Sequence, residues 1–542
     1  MKVLGIWVFA KLFLLLAGAG VFYAETAASA ATICDVREFG AKGDGKTLCT
    51  QAIQAAIDKC ATDSGGTVWL PAGTWLSGTI YLESRVALML DSGSTLLGSK
   101  DPKDYAGPRK PLGAAADGEQ RGIWSLIAGR NLEHVAICGR GTIDGQGSAF
   151  RWTDRSRPMG IRLIECRDVL IEGVRMRNAG SWMQHYEKCD DVVIRGISVF
   201  NHAAYNNDGL DVSSSSDVKI SDCTVDSDDD AIVLKSMTSR PCENVTITNC
   251  VVSSHCNAIK MGTESGGGFQ NITVSNCTVC SPRYTKATYG RDRGLAGVAL
   301  EIVDGGEMNR VTVSNIAITG VSVPIFVRLG DRARAYDRAP GKPAVGTLRN
   351  VILSDIVATS CSSIGCSITG LPGHSVENVA LSNINLTFDG GGARERVSAA
   401  IPEKETAYPE STMFGELPAY GFFCRHVKGL TLNNIQIRTS KSDLRHAAVL
   451  DDVANAQITA LDAGFSPNAA AMIRATNVSG LFIRGCRPRD ETGAFLQVAG
   501  AKTDGIVLSG NDLRGVSESV TAAPEVSKTA VVDRFNIARE DR

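Results

Sequence analysis

An internal repeat constrains this chain more than any other feature of its sequence. The segments VKISDCTVDSDDDAIVLKS (218–236) and VTITNCVVSSHCNAIKMGT (245–263) align without a gap, and ITVSNCTVC (272–280) continues their register. Each unit alternates apolar and polar residues, which is the period of a strand with one buried face. A single unit cannot bury that face alone, so the units must stack on one another. Shorter copies of the unit lie at 169–178, 192–201, 311–320, 351–360, 379–388 and 430–439.

The repeat predicts an all-β fold, a right-handed single-stranded parallel β-helix in which strands of neighbouring coils lie ~4.8 Å apart. The 56 glycines and the aromatic content of 6% fit many short strands joined by tight turns. A horseshoe of leucine-rich repeats is the competing solenoid, but its regularly spaced leucines are absent from this sequence. Residues 51–60 place Ile53, Ala56, Ile57 and Cys60 at helical spacing, which predicts a short N-terminal capping helix.

The chain divides into an N-terminal leader, one long β-helix and a short tail. Residues 1–30 have the pattern of a signal peptide, because Lys2 and Lys11 supply positive charge and Ala28-Ser29-Ala30 is a small-residue cleavage site. An uncleaved membrane anchor is the alternative, although Lys11 interrupts the apolar run. We predict a secreted or periplasmic protein with a β-helix domain at 31–515, a loop insertion at about 389–424 and a C-terminal tail at 516–542.

Sixteen cysteines in an exported protein would ordinarily indicate disulfides. Cys223, Cys250 and Cys277 instead recur at one position of successive repeat units, which favours a column of buried thiols that pack as small hydrophobic groups. No cysteine pair has a second pair or histidines at the spacing of zinc ligands, so we expect no metal and no cofactor. The formal net charge of −2 argues against nucleic-acid binding. We expect a monomer without stable membrane insertion.

Three aspartates are predicted to meet at one edge of the coils. In the repeat register, Asp208 of NNDGLDV (206–212) superimposes on Asp230 of DSDDDAIVL (226–234), while Asn207 matches Asp229. Carboxylates held this close repel one another, so at least one should keep its proton near neutral pH. Acids with separated pKa values can supply the general acid and general base that cleave a glycosidic bond. The alternatives are aspartates that serve only as turn residues or that bind calcium.

The motifs around these acids resemble those of the polygalacturonase and rhamnogalacturonase family, glycoside hydrolase family 28. Four motifs are similar in order and spacing: Asn206-Asn207-Asp208-Gly209-Leu210-Asp211, Asp229-Asp230-Ala231, His255 in SHCNAIK, and Arg293-Gly294. FGAKGDGKT (39–47) and GRGTIDGQG (139–147) are similar to two further signatures, so the likeness covers roughly residues 34–440. The resemblance implies an inverting hydrolase, with Asp229 as general acid and with Asp208 and Asp230 holding the attacking water.

The same resemblance implies a pectic polysaccharide or oligosaccharide substrate, which would be bound by Asn206, His255 and Arg293. Lys260 and Glu264 of KMGTESGGGF (260–269) are predicted to add a further binding subsite. Two features depart from the family pattern: Ser254 and Cys256 flank the histidine where glycine is usual, and RDRGLAG lacks the lysine of its motif. We therefore predict a polygalacturonase-like or rhamnogalacturonan hydrolase-like enzyme, acting within chains or at their ends. The alternatives are a pectin or pectate lyase that uses calcium, and a non-catalytic carbohydrate-binding β-helix.

Overall fold

The strands pair in parallel, coil upon coil, from the first described residues to the last. The computed structural model describes residues 32–105, 124–151, 153, 157–336, 341–464, 468–488 and 492–538. The predicted signal peptide at 1–30 lies outside these residues. Among them, no helix combines the length and apolar character that crossing a membrane requires. The α-helix α1 spans Thr50–Thr62, and short 3-10 helices lie at Val36–Phe39, Pro102–Tyr105, Gly147–Ala149 and Arg394–Arg396.

Strands follow one another along the whole described chain. The first strands are β1 (Thr32–Asp35), β2 (Asp44–Leu48), β3 (Gly66–Leu70), β4 (Gly73–Ser77), β5 (Ile80–Tyr81), β6 (Val86–Leu90), β7 (Ser94–Gly98), β8 (Ser125–Arg130), β9 (Glu133–Gly139), β10 (Thr142–Asp144), β11 (Met159–Ile164), β12 (Arg167–Glu172) and β13 (Arg175–Arg177). The central strands are β14 (Gln184–Glu187), β15 (Asp190–Arg195), β16 (Ser198–Asn201), β17 (Leu210–Ser213), β18 (Ser216–Ser221), β19 (Thr224–Ser227), β20 (Ile232–Ser236), β21 (Cys242–Thr248), β22 (Val251–Ser254), β23 (Asn257–Ser265), β24 (Gly268–Cys280) and β25 (Ala296–Ile302). The last strands are β26 (Glu307–Thr319), β27 (Val323–Leu329), β28 (Thr347–Cys361), β29 (Cys366–Thr369), β30 (Val376–Gly390), β31 (Ala419–Lys441), β32 (His446–Ala463), β33 (Ile473–Thr476), β34 (Ser479–Arg484), β35 (Thr492–Ala499), β36 (Asp504–Ser509), β37 (Val516–Ala522) and β38 (Val531–Arg534).

Three strands per coil form three parallel ladders, which confirms the predicted right-handed parallel β-helix. Ladder 1 begins β1, β3, β6, β9 and ladder 2 begins β2, β4, β7, β10. Ladder 3 runs β5, β8, β11, β14, β17, β20, β23, β25, β27, β29 and then into β31. In β24, β26, β28 and β30 the strands of ladders 1 and 2 join into one bent strand, which turns at residues with left-handed φ such as Asn276 and Asn315. Asparagine suits these bends because its short polar side chain tolerates that conformation.

The hydrophobic core fills the inside of the coils. On ladder 1, Val245 and Ile247 point inward and are buried, while Thr246 between them is exposed. Cys223, Cys250 and Cys277 lie on top of one another as free, buried thiols, each at most 2% exposed, which agrees with the predicted column. The column therefore contributes packing in place of cross-links.

The two ends of the stack and the segment between β30 and β31 depart from the regular coils. Helix α1 buries Ile53, Ala56, Ile57 and Cys60 against the first coils, which confirms the predicted cap. After residue 515, where the sequence predicts a C-terminal tail, β37 pairs with β35 and β38 pairs with β36. Between β30 and β31, residues 391–418 contain only a short 3-10 helix and lie within the predicted insertion 389–424. The last residues of that predicted insertion, from Ala419 on, belong to β31.

Candidate active site

The three aspartates meet at the edge where the strands of ladder 3 begin. Asp208 lies just before β17, and Asp229 and Asp230 lie just before β20. The Gly209 amide donates to the Asp230 carbonyl at 2.9 Å, so Asp208 and Asp230 lie side by side in adjacent coils, as the repeat predicts. One carboxylate oxygen of each of the three residues lies within 4.8 Å of the others. The group, which we call the acidic cluster, is only 2–8% exposed.

Two buried lysines pair with two members of the acidic cluster. The Lys235 ammonium lies 3.2 Å from Asp208 and 2.8 Å from Asp211. The Lys260 ammonium lies 3.0 Å from Asp230 and 3.9 Å from Glu301, which points outward from β25. Charges buried in this way are tolerated only when they are paired, so each lysine stabilises the ionised form of the carboxylates beside it.

Within the described residues, no lysine ammonium pairs with Asp229. Its Oδ1 accepts from the Asp230 amide at 2.9 Å, and its Oδ2 accepts from Asn206 Nδ2 at 3.4 Å. Burial raises the pKa of Asp229 well above its usual value, and the charges of Asp208 and Asp230 raise it further. Asp229 is therefore the member of the cluster in which burial and neighbouring charge most favour the protonated form.

Asp208 has the properties of a base. Burial raises its pKa to about 6, while the neighbouring Lys235 ammonium opposes the rise. It is therefore ionised at neutral pH. Its Oδ2 is bound by Lys235, but its buried Oδ1 has no hydrogen-bond partner in the described structure. In Asp230, by contrast, Oδ1 accepts from Asn257 at 2.7 Å and Oδ2 accepts from Lys260 at 3.0 Å. An unpartnered carboxylate oxygen beside a second carboxylate is a place for a water molecule.

Of the predicted binding residues, Asn206 and Lys260 contact the acidic cluster directly. Asn206 is fixed by Arg157, whose guanidinium donates to its Oδ1 at 3.0 Å. Lys260 lies beneath the cluster and is only 2% exposed, so it acts on Asp230 and not on an exposed ligand surface. Glu264 lies to one side, 3.7 Å from Arg332. Burial would raise the pKa of Glu264, but the charges of Lys235, Arg332 and Lys260 lower it overall.

His255 and Arg293, the other two predicted binding residues, contact protein groups outside the acidic cluster. His255 is fully buried, with Nδ1 2.9 Å from the Arg291 carbonyl oxygen and Nε2 3.3 Å from the Thr285 hydroxyl. It supports the loop that follows β24. The Arg293 guanidinium pairs with Asp389, and both side chains are 41% exposed. In the described residues, therefore, the basic partners of the cluster are the two lysines and not Arg293.

Several residues near the cluster were not singled out from the sequence. Asp211 and Glu301 are fully buried outward-facing acids, and burial raises the pKa of Glu301 to about 8. Tyr289 comes from the loop after β24 and Glu410 from the insertion; burial raises the pKa of each, and the charge of Asp230 raises it further. The alternation of ladder 3 shows that Asp211 faces outward, but no sequence signal shows what covers it. Glu410 has no repeat register at all.

Two groups of side chains in the described chain have ligand atoms close enough to hold a metal ion. In the acidic cluster, the lysine ammonium groups already occupy oxygens that a cation would need, and their charge opposes its binding. The second group is His202, Asp228 and His255. There the Thr285 hydroxyl lies 3.3 Å from both imidazoles, and Asp228 accepts two backbone amides, one from Tyr289 at 2.9 Å. Both groups thus have protein partners for most of their polar atoms.

The fold and the cluster together define a parallel β-helix that carries a buried group of carboxyl side chains, the residue type that glycosidases use. The chain belongs to the glycosyl hydrolases family 28, whose family model matches residues 99–406, more than half of its length. Residues 33–101 match a second family model, described as rhamnogalacturonase A/epimerase, pectate lyase-like. These matches confirm the resemblance seen in the motifs.

Relatives of known name extend over parts of the chain. It is 34% identical over 214 residues to a "Probable polygalacturonase" of Vitis vinifera, covering 37% of this chain and 43% of that protein. It is 26% identical over 342 residues to a probable polygalacturonase of Arabidopsis thaliana, covering 61% and 68%. The chain thus spans less than half the length of the grape relative.

Solved structures share the fold. A hyperthermoactive exopolygalacturonase from Thermotoga maritima superimposes with a TM-score of 0.55 at 22% identity, covering 66% of this chain and 87% of that one. A polygalacturonase from Erwinia carotovora gives a TM-score of 0.52 at 20% identity, covering 66% and 93%. At these identities the likeness concerns the β-helix architecture alone.

Proposed function

We propose that this protein hydrolyses glycosidic bonds in a pectic polysaccharide, as a polygalacturonase-like or rhamnogalacturonan hydrolase-like enzyme. The observation that carries the proposal is the division of the acidic cluster into one carboxyl group without a lysine and two lysine-paired carboxylates. Acid–base cleavage of a glycosidic bond needs one group that can give a proton and another that can take one. Family membership and the names of the relatives support the choice of substrate class.

In the proposed reaction, Asp229 gives its proton to the glycosidic oxygen as the bond from that oxygen to the anomeric carbon breaks. A water molecule held by Asp208 and Asp230 attacks the anomeric carbon, and Asp208 takes the proton that the water loses. The unpartnered Oδ1 of Asp208 is the acceptor for that water. Afterwards Asp208 carries a proton and Asp229 is ionised, and exchange with solvent restores both.

We propose that this single displacement inverts the anomeric configuration. Inverting enzymes usually separate their two carboxyl groups by ~6.5–9.5 Å and retaining enzymes by ~5–5.5 Å. The 4.8 Å limit in the acidic cluster describes the approach of selected single oxygens, not of whole carboxyl groups. Inversion is supported instead by the occupied oxygens of Asp230, which leave this residue poorly suited to attack carbon.

Calcium-assisted elimination, the chemistry of the lyase alternative, is less well supported. Calcium prefers six to eight oxygen ligands. In the acidic cluster, the ammonium groups of Lys235 and Lys260 lie at the oxygens of Asp208 and Asp230 that would have to turn toward such an ion. The same ammonium groups instead stabilise the ionised base that hydrolysis needs.

The proposed substrate is a polymer of plant cell walls, so we also propose that the protein acts outside the cytoplasm, as the leader pattern at 1–30 suggests. A monomer would suffice, because the residues of the proposed mechanism all come from one chain.

The test is a panel of polygalacturonan and rhamnogalacturonan, with a neutral glucan as control substrate. Two signals are followed: new reducing ends, which report cleavage by either chemistry, and unsaturated uronide absorbance, which reports elimination. Hydrolysis gives the first signal without the second. We expect reducing ends without that absorbance from at least one acidic polymer and neither signal from the glucan. A rise in uronide absorbance, or no cleavage of any pectic polymer, would overturn the proposal.

A further inference from the structure

The outer face of ladder 3 is covered beyond the acidic cluster. Lys260 on β23 pairs in register with Ala299 on β25, which pairs with Phe326 on β27, and the row continues to Phe423 on β31. Ala299 and Phe326 are completely buried although they point away from the core. Thr246, an outward residue on ladder 1, is exposed. Another segment of the chain must therefore cover the outer face of ladder 3, whereas the outer face of ladder 1 is open to solvent at Thr246.

The cover is formed by the insertion 391–418, together with Ile364 from the connection between β28 and β29. Met413 packs on the outward cluster that includes Ala299 and Phe326. Phe414, one residue on, packs with Phe423 and with Val449 of the following coil. The first covered coil lies next to the coil that carries Lys260, which at ~4.8 Å per coil is close to the acidic cluster.

The insertion is fixed to the ladder by buried side chains. Arg328, only 1% exposed, donates to the carbonyl oxygens of Glu403 at 2.8 Å and Lys404 at 3.2 Å. Arg425 donates to the carbonyl oxygen of Ile401 at 2.6 Å. The Ser411 hydroxyl donates to the Leu295 carbonyl at 2.8 Å. These bonds hold the main chain of the insertion in place, so it forms a wall and not a mobile loop.

Two side chains of the insertion face the acidic cluster. The ring centre of Tyr408 lies 5.7 Å from the Lys260 ammonium, and the residue is 47% exposed. The buried Oε2 of Glu410 has no hydrogen-bond partner among the residues that the structure describes. Burial raises the pKa of Glu410 to about 7, with opposing effects from the charges of Lys260 and Asp230. The wall thus offers a half-exposed aromatic ring and a free acceptor next to the proposed reaction centre.

We infer that the insertion closes the cleft on the side of the C-terminal coils, so that the site binds the end of a sugar chain and releases short units from it. The inference rests on the proposed function. A chain that continued along ladder 3 past Lys260 would have to occupy the space above Ala299 and Phe326, which Met413 fills. Tyr408 and Glu410 then form the terminal subsite: the ring packs against the last sugar and Glu410 accepts from one of its hydroxyl groups.

The experiment measures the product distribution of the wild-type protein on the pectic polymer that it cleaves and on a length series of the matching oligosaccharides. The total of new reducing ends measures cleavage and so tests the proposed function. The distribution of product lengths tests whether the insertion closes the cleft. We expect one short product from the earliest time points, with little loss of viscosity per bond broken. A series of products of intermediate length, with a rapid fall in viscosity, would overturn the inference that the insertion closes the cleft, but it would leave the proposed hydrolysis intact.

Point variants assign the subsite. Tyr408→Ala and Glu410→Gln should each raise KM about tenfold for oligosaccharides, with kcat changed less than about threefold, because they remove contacts made in both ground and transition states. Tyr284→Ala is the matched control, since Tyr284 is 92% exposed, and its KM should match wild type. Unchanged KM in both wall variants would refute the assignment of Tyr408 and Glu410.

Discussion

Replacing Asp229 with asparagine isolates the proton that the proposed mechanism needs. Asparagine keeps the shape of the side chain and can still accept the Asp230 amide at Oδ1, which is now 2.9 Å away. The new side-chain NH2 group would take the place of Oδ2, which now accepts a hydrogen bond from Asn206 Nδ2 at 3.4 Å. At most this one weak hydrogen bond is lost. The substitution also removes a buried carboxyl group that lies beside two other carboxyl groups. We therefore expect folding to survive.

The magnitude follows from the role of the proton. General acid catalysis typically contributes ~10²–10⁴-fold in rate, which corresponds to roughly 2.7–5.4 kcal/mol at about 1.36 kcal/mol per tenfold change. The loss should appear in kcat, because the proton moves to the leaving oxygen only in the transition state. An aryl glycoside whose leaving group departs without a proton should lose far less, on the order of tenfold or below.

The assay compares kcat on the natural polymer and on the aryl glycoside for wild type and Asp229→Asn, with circular dichroism as a check on folding. Asp226→Asn is the matched control, because Asp226 lies in β19, just before the turn that carries Asp229, but pairs with His202 at 2.9 Å and lies outside the acidic cluster. It should retain activity within about threefold. A folded Asp229→Asn protein with most of its activity on the polymer would refute the assignment of the general acid.

Three further predictions concern the base, a surface ion pair and the core. Burial sets the pKa of Asp208 at about 6, and only its ionised form can take a proton, so kcat/KM should fall as the pH falls through about 6; a profile flat down to pH 4 would argue against it as the base. Arg293→Ala should change KM for acidic oligosaccharides less than about twofold, because Arg293 already pairs with Asp389; a large rise in KM would restore its predicted role in substrate binding. Ile247→Ala, in the core, should lower the free energy of unfolding by about 2–5 kcal/mol, as measured by chemical denaturation. Ile352→Ala, at a residue that is 48% exposed, should change it by less than about 0.5 kcal/mol. Equal effects would contradict the conclusion that Ile247 faces the core and Ile352 faces solvent.

The repeat is sufficient to predict the acidic cluster because register in a solenoid transfers directly from sequence to space. An alignment of 206–212 with 226–234 places Asp208 beside Asp230, and the Gly209 hydrogen bond shows the same pairing. The column of Cys223, Cys250 and Cys277 follows from the same register. Alternation along the strand also shows that Lys260 faces outward.

What covers an outward residue could not be predicted in this way. The strand position of Lys260 predicts a residue that binds substrate. In the structure, Tyr408 of the insertion and Glu301 lie beside it, and it is buried beneath Asp230. The insertion has no periodic pattern, so nothing in the sequence places Glu410 near the cluster. The contact of Arg293 with Asp389 joins residues 96 positions apart, and one of them ends a strand three coils further along.

The central claim is single-step hydrolysis by Asp229 with a water held at Asp208 and Asp230, and proton NMR of the reaction as it proceeds tests it most directly. The spectrum distinguishes the two anomers of each new reducing end before they interconvert, and it shows whether an unsaturated uronide forms. We predict that the first product carries the anomeric configuration opposite to that of the bond cleaved, without unsaturated sugar. A first product with the configuration of the substrate linkage, or an unsaturated uronide, would contradict the claim.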